Sequence, residues 1–313
     1  MNDTMNYYAI HSVEQNTNYA FNKLLHCEPL TKEDKAYLDV VSGKLKDEYF
    51  LPTEMNKGFE KAITEENLFR RLGNFKNTAF ETGNIVITTS DGDAEVVGDS
   101  RQFPEDNDTI AEKQFKAHKI ASISKLNNVF IRDKHYDVQG YLKTDFAKRF
   151  GRCEEDVFIN GSGVDEPQGI LNAAEVGKAI SSSEITADNL IDLYFSIDKK
   201  LRKNAVWLMS DETLMEIRKI KDGSGRFILT ENDTIFGKPV IVSNFMSDST
   251  KPIAFGDFSY YWIIQRKPLT VKILTELYSL DDKTGFAAYE RLDGKLIRTD
   301  AIKLLKIEEL KAD

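Results

Sequence analysis

The residue types that most often perform catalysis are scattered along this chain. The sequence contains four histidines, at His11, His26, His118 and His135. None lies four residues from another, so the spacing of a helical metal site is missing. Cys27 and Cys153 are far apart, and neither belongs to a CxxC pair. We therefore predict two reduced thiols and ordinary surface or core histidines.

The glycine-rich and acidic stretches are also better explained as turns than as sites. The Gly161-Ser162-Gly163 loop lacks the third glycine and the lysine of a phosphate-binding loop. The pairs Asp91/Asp93 and Asp281/Asp282, and the run DGSG at 222–225, do not continue into the spacing of a calcium loop. GxSxG, HExxH and GxGxxG are absent from the sequence. We predict no catalytic, cofactor-binding or metal-binding residue.

Composition and charge limit the remaining classes. With 313 residues and a formal charge of −9, the chain can bury a large core, but its charge is wrong for a dedicated nucleic-acid binder. A container whose mildly acidic wall does not adhere to DNA remains possible. No apolar segment reaches the ~18 residues that a membrane helix needs, and no signal peptide begins the chain. We expect a cytoplasmic protein that contacts no membrane.

The first third of the chain combines a helical pattern with a hairpin signal. Apolar residues at helical spacing predict an amphipathic helix over 31–50, and the polar segment before it suits an arm that orders only against a neighbouring molecule. Residues 84–97 predict two short strands around the turn pair Asp91-Gly92. The polar stretch that follows, to about 109, indicates that this hairpin projects from the body.

The rest of the chain mixes helices and strands without regular βαβ order, which predicts an α+β fold. A long helix is expected over 135–159 and a shorter one over 188–202. Ser210 begins a further helix after a strand at 205–209. Strands are expected at 239–242 and 253–255, and two long antiparallel strands over 260–278 and 285–307.

Six phrases of the second half, in this order and at this spacing, resemble major capsid proteins of tailed phages and prophages with the HK97-like fold. The phrases are GSGVDEPQGILN (161–172), VWLMSDETL (206–214), IKDGSGRFIL (220–229), TIFGKPVIVSNFM (234–246), IAFGDFSYYWII (253–264) and ERLDGKLIRTDAI (290–302). The similarity extends over about 83–306.

The resemblance implies an HK97-like capsid fold with four parts. Residues 1–82 form an N-terminal arm with an amphipathic helix, and 83–116 an extended β-hairpin loop that overlaps a neighbouring subunit. Residues 117–163 and 260–295 form a peripheral domain with a long spine helix and long strands. Residues 164–259 and 296–313 form an axial domain whose loops meet at the centres of capsomers.

The implied function is structural. Such a subunit assembles with itself through pentamers and hexamers into an icosahedral head that encloses double-stranded DNA without reading its sequence. A scaffolding protein, a portal and a head-maturation protease are the implied partners, and the virion, assembled in the bacterial cytoplasm, is the implied location. The candidate intersubunit contacts are Arg101, Phe103, Arg132, Arg152 and Arg291.

One covalent feature of the family is expected to be absent. Some members join subunits through a Lys–Asn isopeptide bond assisted by a glutamate. The corresponding positions here hold Asp282 and Tyr289, and no asparagine follows Asn244.

Two alternatives remain open from the sequence. An encapsulin-type compartment would share the fold but enclose a cargo enzyme. A soluble hydrolase that uses paired carboxylates belongs to another class, and the sequence identifies no residues for it.

Overall fold

A computed structural model describes residues 2–40, 48–51, 53–89, 109–181, 185–221, 227 and 234–308. The helices of this part are α1 (Asn2–Leu25), α2 (Lys32–Val40), α3 (Thr53–Glu66), α4 (Leu68–Leu72), α5 (Asn128–Arg132), α6 (Val138–Asn160), α7 (Ile170–Ala173), α8 (Ala187–Phe195) and α9 (Asp211–Arg218). The strands are β1 (Glu48–Phe50), β2 (Asn74–Asn77), β3 (Thr82–Thr89), β4 (Thr109–Lys116), β5 (His118–Asn127), β6 (Glu175–Ile180), β7 (Val206–Met209), β8 (Thr234–Ile235), β9 (Lys238–Val242), β10 (Ile253–Gly256), β11 (Tyr261–Leu274), β12 (Lys283–Leu296) and β13 (Ile302–Ile307).

The first sheet is built on the two longest strands. Its order is β1-β11-β12-β5, and β2 adds to β11 in parallel. β11 and β12 are antiparallel over most of their length, with register shifts between Gln265 and Thr270. One face of this sheet packs against α1, α3 and α6, where Phe146, Phe150 and Phe286 are among the buried side chains. The long helix α6 therefore packs along one face of the sheet, and the helices and the sheet form two layers around this core.

The second sheet has the order β6-β13-β10-β7-β9-β8 and mixes parallel with antiparallel pairs. Trp207 and Phe255 stack in its core, with their ring centroids 4.1 Å apart. A third cluster joins the two sheets, and at its centre the Phe69 ring lies edge-on to Phe158 and Tyr261. The chain is thus an α+β fold in which an apolar cluster connects two sheets.

The structure bears out the long helix but begins it at Val138, where the Asp137 side chain caps the backbone N–H of Gly140. The helix that follows β7 also begins as predicted, because Ser210 accepts a hydrogen bond from Thr213 N. The helix expected over 188–202 is shorter. It ends at Phe195, and a separate 3₁₀ turn covers Leu201–Asn204.

Three predictions about strands and the amino-terminal region differ from the structure. The helix expected over 31–50 is described only over Lys32–Val40, 41–47 lie outside the described residues, and Glu48–Phe50 forms β1, which pairs with β11, instead of the end of that helix. The preceding segment forms α1, and its Ala20, Phe21 and Leu25 are buried in the chain's own core, so the prediction that it orders only against a neighbour is wrong. The strand expected over 285–307 is divided by a 3₁₀ turn, after which β13 joins the second sheet.

The projecting hairpin has a different partner strand from the one predicted. β3 pairs with β4, from Thr82 opposite Lys116 to Thr89 opposite Thr109. The turn predicted at Asp91-Gly92 lies outside the described residues, as do 182–184, 222–226 and 228–233.

Candidate assembly interface

The β3–β4 hairpin is fastened to the body at its base by apolar packing. Ile85 and Phe115 form a small cluster with Ile264 and Ile297. The Lys113 ammonium donates to the Leu296 carbonyl over 2.6 Å, and burial lowers the pKa of this lysine. These contacts hold the first residue pairs of the β3–β4 ladder against the body. The side chain of Val86, on the opposite face of the hairpin, is exposed.

Charged groups add a second fastening at the hairpin base. The Asp293 carboxylate accepts the backbone N–H of Lys116 over 2.9 Å, and burial raises the pKa of this carboxyl despite that bond. Glu81, just before β3, lies between Arg291 at 2.8 Å and Arg266 at 3.6 Å. Because both pairs are partly exposed, we expect them to orient the hairpin more than to stabilise the fold.

The predicted contact residues lie on separate elements. Arg132 is exposed in the last turn of α5, and Arg152 is exposed on α6. Arg291 is on β12 and already pairs with Glu81. Arg101 and Phe103 lie outside the described residues. The three described residues lie on three different elements, and the role of all five in contacts between subunits stays a prediction.

A buried cluster of charges joins three elements and was not predicted. Arg70 of α4 donates to both oxygens of Glu154 on α6, from Nε at 2.7 Å and from Nη2 at 2.6 Å. Its Nη2 also reaches Glu290 of β12 at 3.2 Å. Asn67 and Gln265 complete the shell by donating to Glu154 and Glu290 respectively. The cluster ties the long helix to the first sheet.

The protonation of this cluster follows from its burial. The three charged side chains are at most 4% exposed. Burial and the neighbouring Glu154 raise the pKa of Glu290 well above its ordinary value, against the opposing effect of Arg70. Burial alone would lower the pKa of Arg70, but the two glutamates raise it instead. Of the two carboxyl groups that share the Arg70 guanidinium, Glu290 is therefore one that keeps its proton to a higher pH than an ordinary glutamate.

The sequence contained a signal for this cluster. Glu154 lies at helical spacing between Phe150 and Phe158, on the apolar stripe of α6. Glu290 lies on the same buried face of β12 as Phe286, Ala288 and Leu292, which occupy every second position of the strand. A carboxylate at a core position of a predicted helix or strand requires a partner, although the pattern alone does not identify Arg70 as that partner.

Large apolar side chains are exposed at one end of the first sheet. Leu277 and Leu280, between β11 and β12, are 66% and 102% exposed, and Val129 and Phe130 of the adjacent α5 are 66% and 48% exposed. A hydrogen bond from Asn128 Nδ2 to Asp282 Oδ1 (2.9 Å) holds the two segments together. We call these four residues the apolar tip. Such a group at one end of a fold is typical of a protein–protein contact.

A cavity lined by described residues of the second sheet and α9 does not have the form of an active site. It has a volume of about 250 Å³ and lies between the start of α9 and the loop before β10, with Ser210, Thr213, Glu216, Met246 and Asp248 in its wall. Asp248 is already bound to the backbone N–H and the hydroxyl of Thr250. Across the described residues, His, Cys, Asp and Glu side chains do not gather in threes as a metal site requires.

Comparisons with known proteins agree with this structural reading. Residues 47–307 match the model of the phage capsid family. A search of curated proteins finds no match. Two similar solved structures are capsids of native and empty GTA particles, each 26% identical. The native particle gives a TM-score of 0.64 over 76% of this chain and 89% of that one, and the empty particle gives 0.67 over 77% and 90%. A chain from Gordonia phage Cozz, 11% identical, shares the fold alone, with a TM-score of 0.58 over 90% of this chain and 96% of that one.

The family match and the shared fold define a structural capsid subunit rather than an enzyme. The chain belongs to the phage capsid family. It is therefore a structural component of a virion capsid that assembles with copies of itself, and the hydrolase alternative is wrong. No helix among the described residues is long and apolar enough to cross a membrane.

Proposed function

We propose that this chain is the major capsid protein of a tailed phage or prophage, which assembles through pentamers and hexamers into an icosahedral head around double-stranded DNA. The observation that carries the proposal is the family match over 47–307, together with the GTA capsids at 26% identity. Both GTA structures are described as computed with C5 symmetry, which favours a shell with fivefold positions here too.

The four-part division is part of the same proposal. We propose that β5, β11 and β12 of the first sheet, with α6, form the peripheral domain (117–163 and 260–295), and that the second sheet forms the axial domain (164–259 and 296–313). The first sheet also contains β1 and β2, which come from residues 1–82. The β3–β4 hairpin corresponds to the extended loop that overlaps a neighbour, and residues 1–82 to the arm. A separate scaffolding protein, a portal and a head-maturation protease are the proposed partners in the bacterial cytoplasm.

The apolar tip supplies one contact of the proposed shell. Exposing four large apolar side chains to water at one end of a subunit is unfavourable. A neighbouring copy that covers them removes this apolar surface from water and lowers the free energy. Arg132 and Asp281 are exposed charged residues of the same two segments, and a neighbouring copy can pair with them at the edge of the apolar contact. Contacts of this kind are individually weak and become strong when many close a shell.

Light scattering and electron microscopy of the purified chain test the proposal, both alone and produced together with the proteins encoded beside it. Rings and closed shells are the expected result, and nuclease-resistant double-stranded DNA is expected in particles from the host. Leu280→Asp should reduce shell yield while Leu280→Met, which keeps an apolar side chain, should not. A small oligomer under every condition would contradict the proposal.

A further inference from the structure

Two large aromatic side chains beside the second sheet are exposed and contact the same third ring. Phe195, the last residue of α8, is 65% exposed, and Phe236, in the turn between β8 and β9, is 43% exposed. Both rings lie edge-on to Tyr194, with centroids 5.2 and 5.6 Å away. Tyr194 in turn stacks on the buried Phe255. The exposed pair therefore continues the apolar core of the second sheet to its surface.

The backbone at Phe236 has a conformation that phenylalanine rarely adopts. Its φ is +50°, and Gly237 follows with a φ of +73° in the two-residue turn that joins Ile235 to Lys238. Such turns usually contain asparagine or glycine at the first of these positions, because a side chain with a Cβ is strained in the left-handed region. A strained residue whose ring stays largely exposed is typical of a functional contact rather than of core packing.

Arg202 lies over two of these rings and keeps an unused hydrogen-bond donor. Its guanidinium carbon is 5.2 Å from the centroid of Tyr194 and 5.0 Å from that of Phe195. Its Nε atom is buried and has no hydrogen-bond partner among the described residues, although the side chain as a whole is only partly buried. A carboxylate bound to this guanidinium would offset the unsatisfied donor. We call Phe195, Arg202 and Phe236 the aromatic platform.

Hydrogen bonds from two further side chains hold the aromatic platform in place. Lys238 Nζ donates to the Lys203 carbonyl over 2.8 Å, which ties the β8–β9 turn to the 3₁₀ turn that contains Arg202. Trp207 Nε1 donates to the Ile235 carbonyl over 3.1 Å, and the Trp207 ring lies 6.4 Å from that of Phe236. The surface is thus prepared before a ligand binds, which lowers the entropic cost of binding.

Positive charge accompanies the aromatic platform. Residues 195–204 include four basic residues and one acidic residue, a net charge of +3, in a chain whose net charge is −9. Lys199, Lys200 and Lys203 are exposed. The one acid, Asp198, accepts the backbone N–H of Lys200 over 2.7 Å within its own turn. A ligand that fits this surface combines carboxylates with an apolar side chain that covers the rings.

We propose that the aromatic platform is a docking site for an acidic peptide segment of another protein, which places an apolar side chain on the rings and a carboxylate on Arg202. Charge complementarity supports an acidic partner, and the exposed rings supply the apolar anchor from which such contacts gain most of their affinity. Single-stranded nucleic acid is disfavoured, because the guanidinium already covers one face of Phe195 and few cations are available for phosphates. The inference goes beyond the proposed function, since a single subunit carries the whole site.

Selection from a random library of short peptides on the immobilised full chain, with counter-selection against Phe195→Ser/Arg202→Glu, tests the chemistry of the partner. Enriched peptides should combine aspartate or glutamate with phenylalanine, tryptophan or leucine. No enrichment, or enrichment of peptides without acidic residues, would overturn the proposal.

Titration of the most enriched peptide, labelled, against the full chain then measures docking. Affinity should fall by about tenfold in Phe195→Ser/Arg202→Glu and should weaken as salt rises. The matched control is Phe227→Ser/Lys221→Glu, because Lys221 lies 5.1 Å from the exposed Phe227 ring and neither residue belongs to the aromatic platform. Equal affinities of the two double variants would overturn the proposal.

The variant Phe236→Asn separates docking from folding. Asparagine adopts a positive φ more readily than phenylalanine, so the urea midpoint should stay the same or rise, while affinity for the selected peptide should fall by about tenfold. An unchanged affinity would overturn the role of the ring. A lowered midpoint would show that Phe236 serves the core of the second sheet, and would overturn the inference drawn from its backbone strain.

Other occupants of the aromatic platform would give different results. A labelled oligothymidine that binds the wild type more tightly than the selected peptide, and that Phe195→Ser/Arg202→Glu releases, would overturn the proposal in favour of nucleic acid. Self-association that the same double variant abolishes, with no peptide enriched, would identify a second copy as the occupant and overturn it as well. A wild-type chain that binds the peptide but never forms shells would support docking and contradict the proposed function.

Discussion

Replacing Glu290 by glutamine tests whether the buried cluster holds a neutral acid. Glu290 Oε2 accepts one hydrogen bond from Arg70 Nη2 and one from Gln265 Nε2, each over 3.2 Å. The buried Oε1 accepts no hydrogen bond from the described residues. Oε1 is therefore the oxygen that we expect to hold the proton. The amide of glutamine keeps one acceptor and places N–H donors near Glu154, so Glu290→Gln should fit without a new buried charge.

The sign of the pH effect follows from the raised pKa of Glu290. In the unfolded chain a glutamate loses its proton near pH ~4.3, whereas the folded chain keeps it to higher pH. Between those two pKa values the folded state binds one more proton, so the free energy of unfolding falls by about 1 kcal/mol per pH unit as pH rises. Glutamine does not titrate, and the variant loses this slope.

Urea denaturation of the unassembled subunit between pH 4 and 8, followed by the fluorescence of the buried Trp207, measures the effect. The Glu290→Gln subunit should be as stable as the wild type or slightly less so near pH 4, and increasingly more stable toward neutral pH. The Glu154→Gln control should lose stability at neutral pH, since Arg70 then depends on Glu290, which has to ionise.

The double variant Glu154→Gln/Glu290→Gln completes the comparison. It leaves the Arg70 guanidinium buried without a carboxylate in its cluster and should cost about 3–5 kcal/mol. Glu154→Gln alone should cost less than this. Parallel pH profiles for the wild type and Glu290→Gln would refute the reasoning, because they would show that Glu290 is already ionised in the folded chain.

Three further substitutions test the packing and the hairpin base. Phe69→Ala removes a ring at the centre of the cluster between the sheets and should cost about 3–5 kcal/mol in urea denaturation; a loss below 1 kcal/mol would contradict that role. Gly294→Ala places a Cβ against the Tyr261 hydroxyl and should cost about 1–3 kcal/mol, and an unchanged midpoint would show that the strands shift freely. Glu81→Gln should change global stability by less than about 1 kcal/mol but accelerate hydrogen exchange in β3 and β4, because it weakens the ion pair with Arg291. Unchanged exchange rates in both strands would show that this ion pair does not hold the hairpin base.

The sequence predicted those elements whose signal is local. The stripe of aromatic and aliphatic residues on 138–160 indicates one long helix, and Ser210 provides the hydrogen bond that begins α9. The β-branched run of β11 predicts a strand with little dependence on its neighbours. The structure contains these elements because the local signals and the burial of their apolar residues favour the same conformation.

The misses arise where a distant partner decides the conformation. Glu48–Phe50 follows a helical pattern, yet it pairs with Val271 and its neighbours on β11. The β3 strand pairs with residues 109–116, a partner about twenty residues further along the chain, whereas the sequence predicted a short turn at Asp91-Gly92. The charge cluster joins residues 84 and 220 positions apart. A single sequence can mark Glu154 as unusual in a core, but the pairing with Arg70 depends on the completed topology.

The central claim, that this chain builds a closed capsid shell, is tested most directly by cryo-electron microscopy of particles formed by the full-length protein. We predict icosahedral shells whose subunits have the two-sheet fold, with the β3–β4 hairpin of each copy lying against a neighbour. Particles without fivefold vertices, or a protein that remains a small soluble oligomer in the presence of its partner proteins, would contradict the claim.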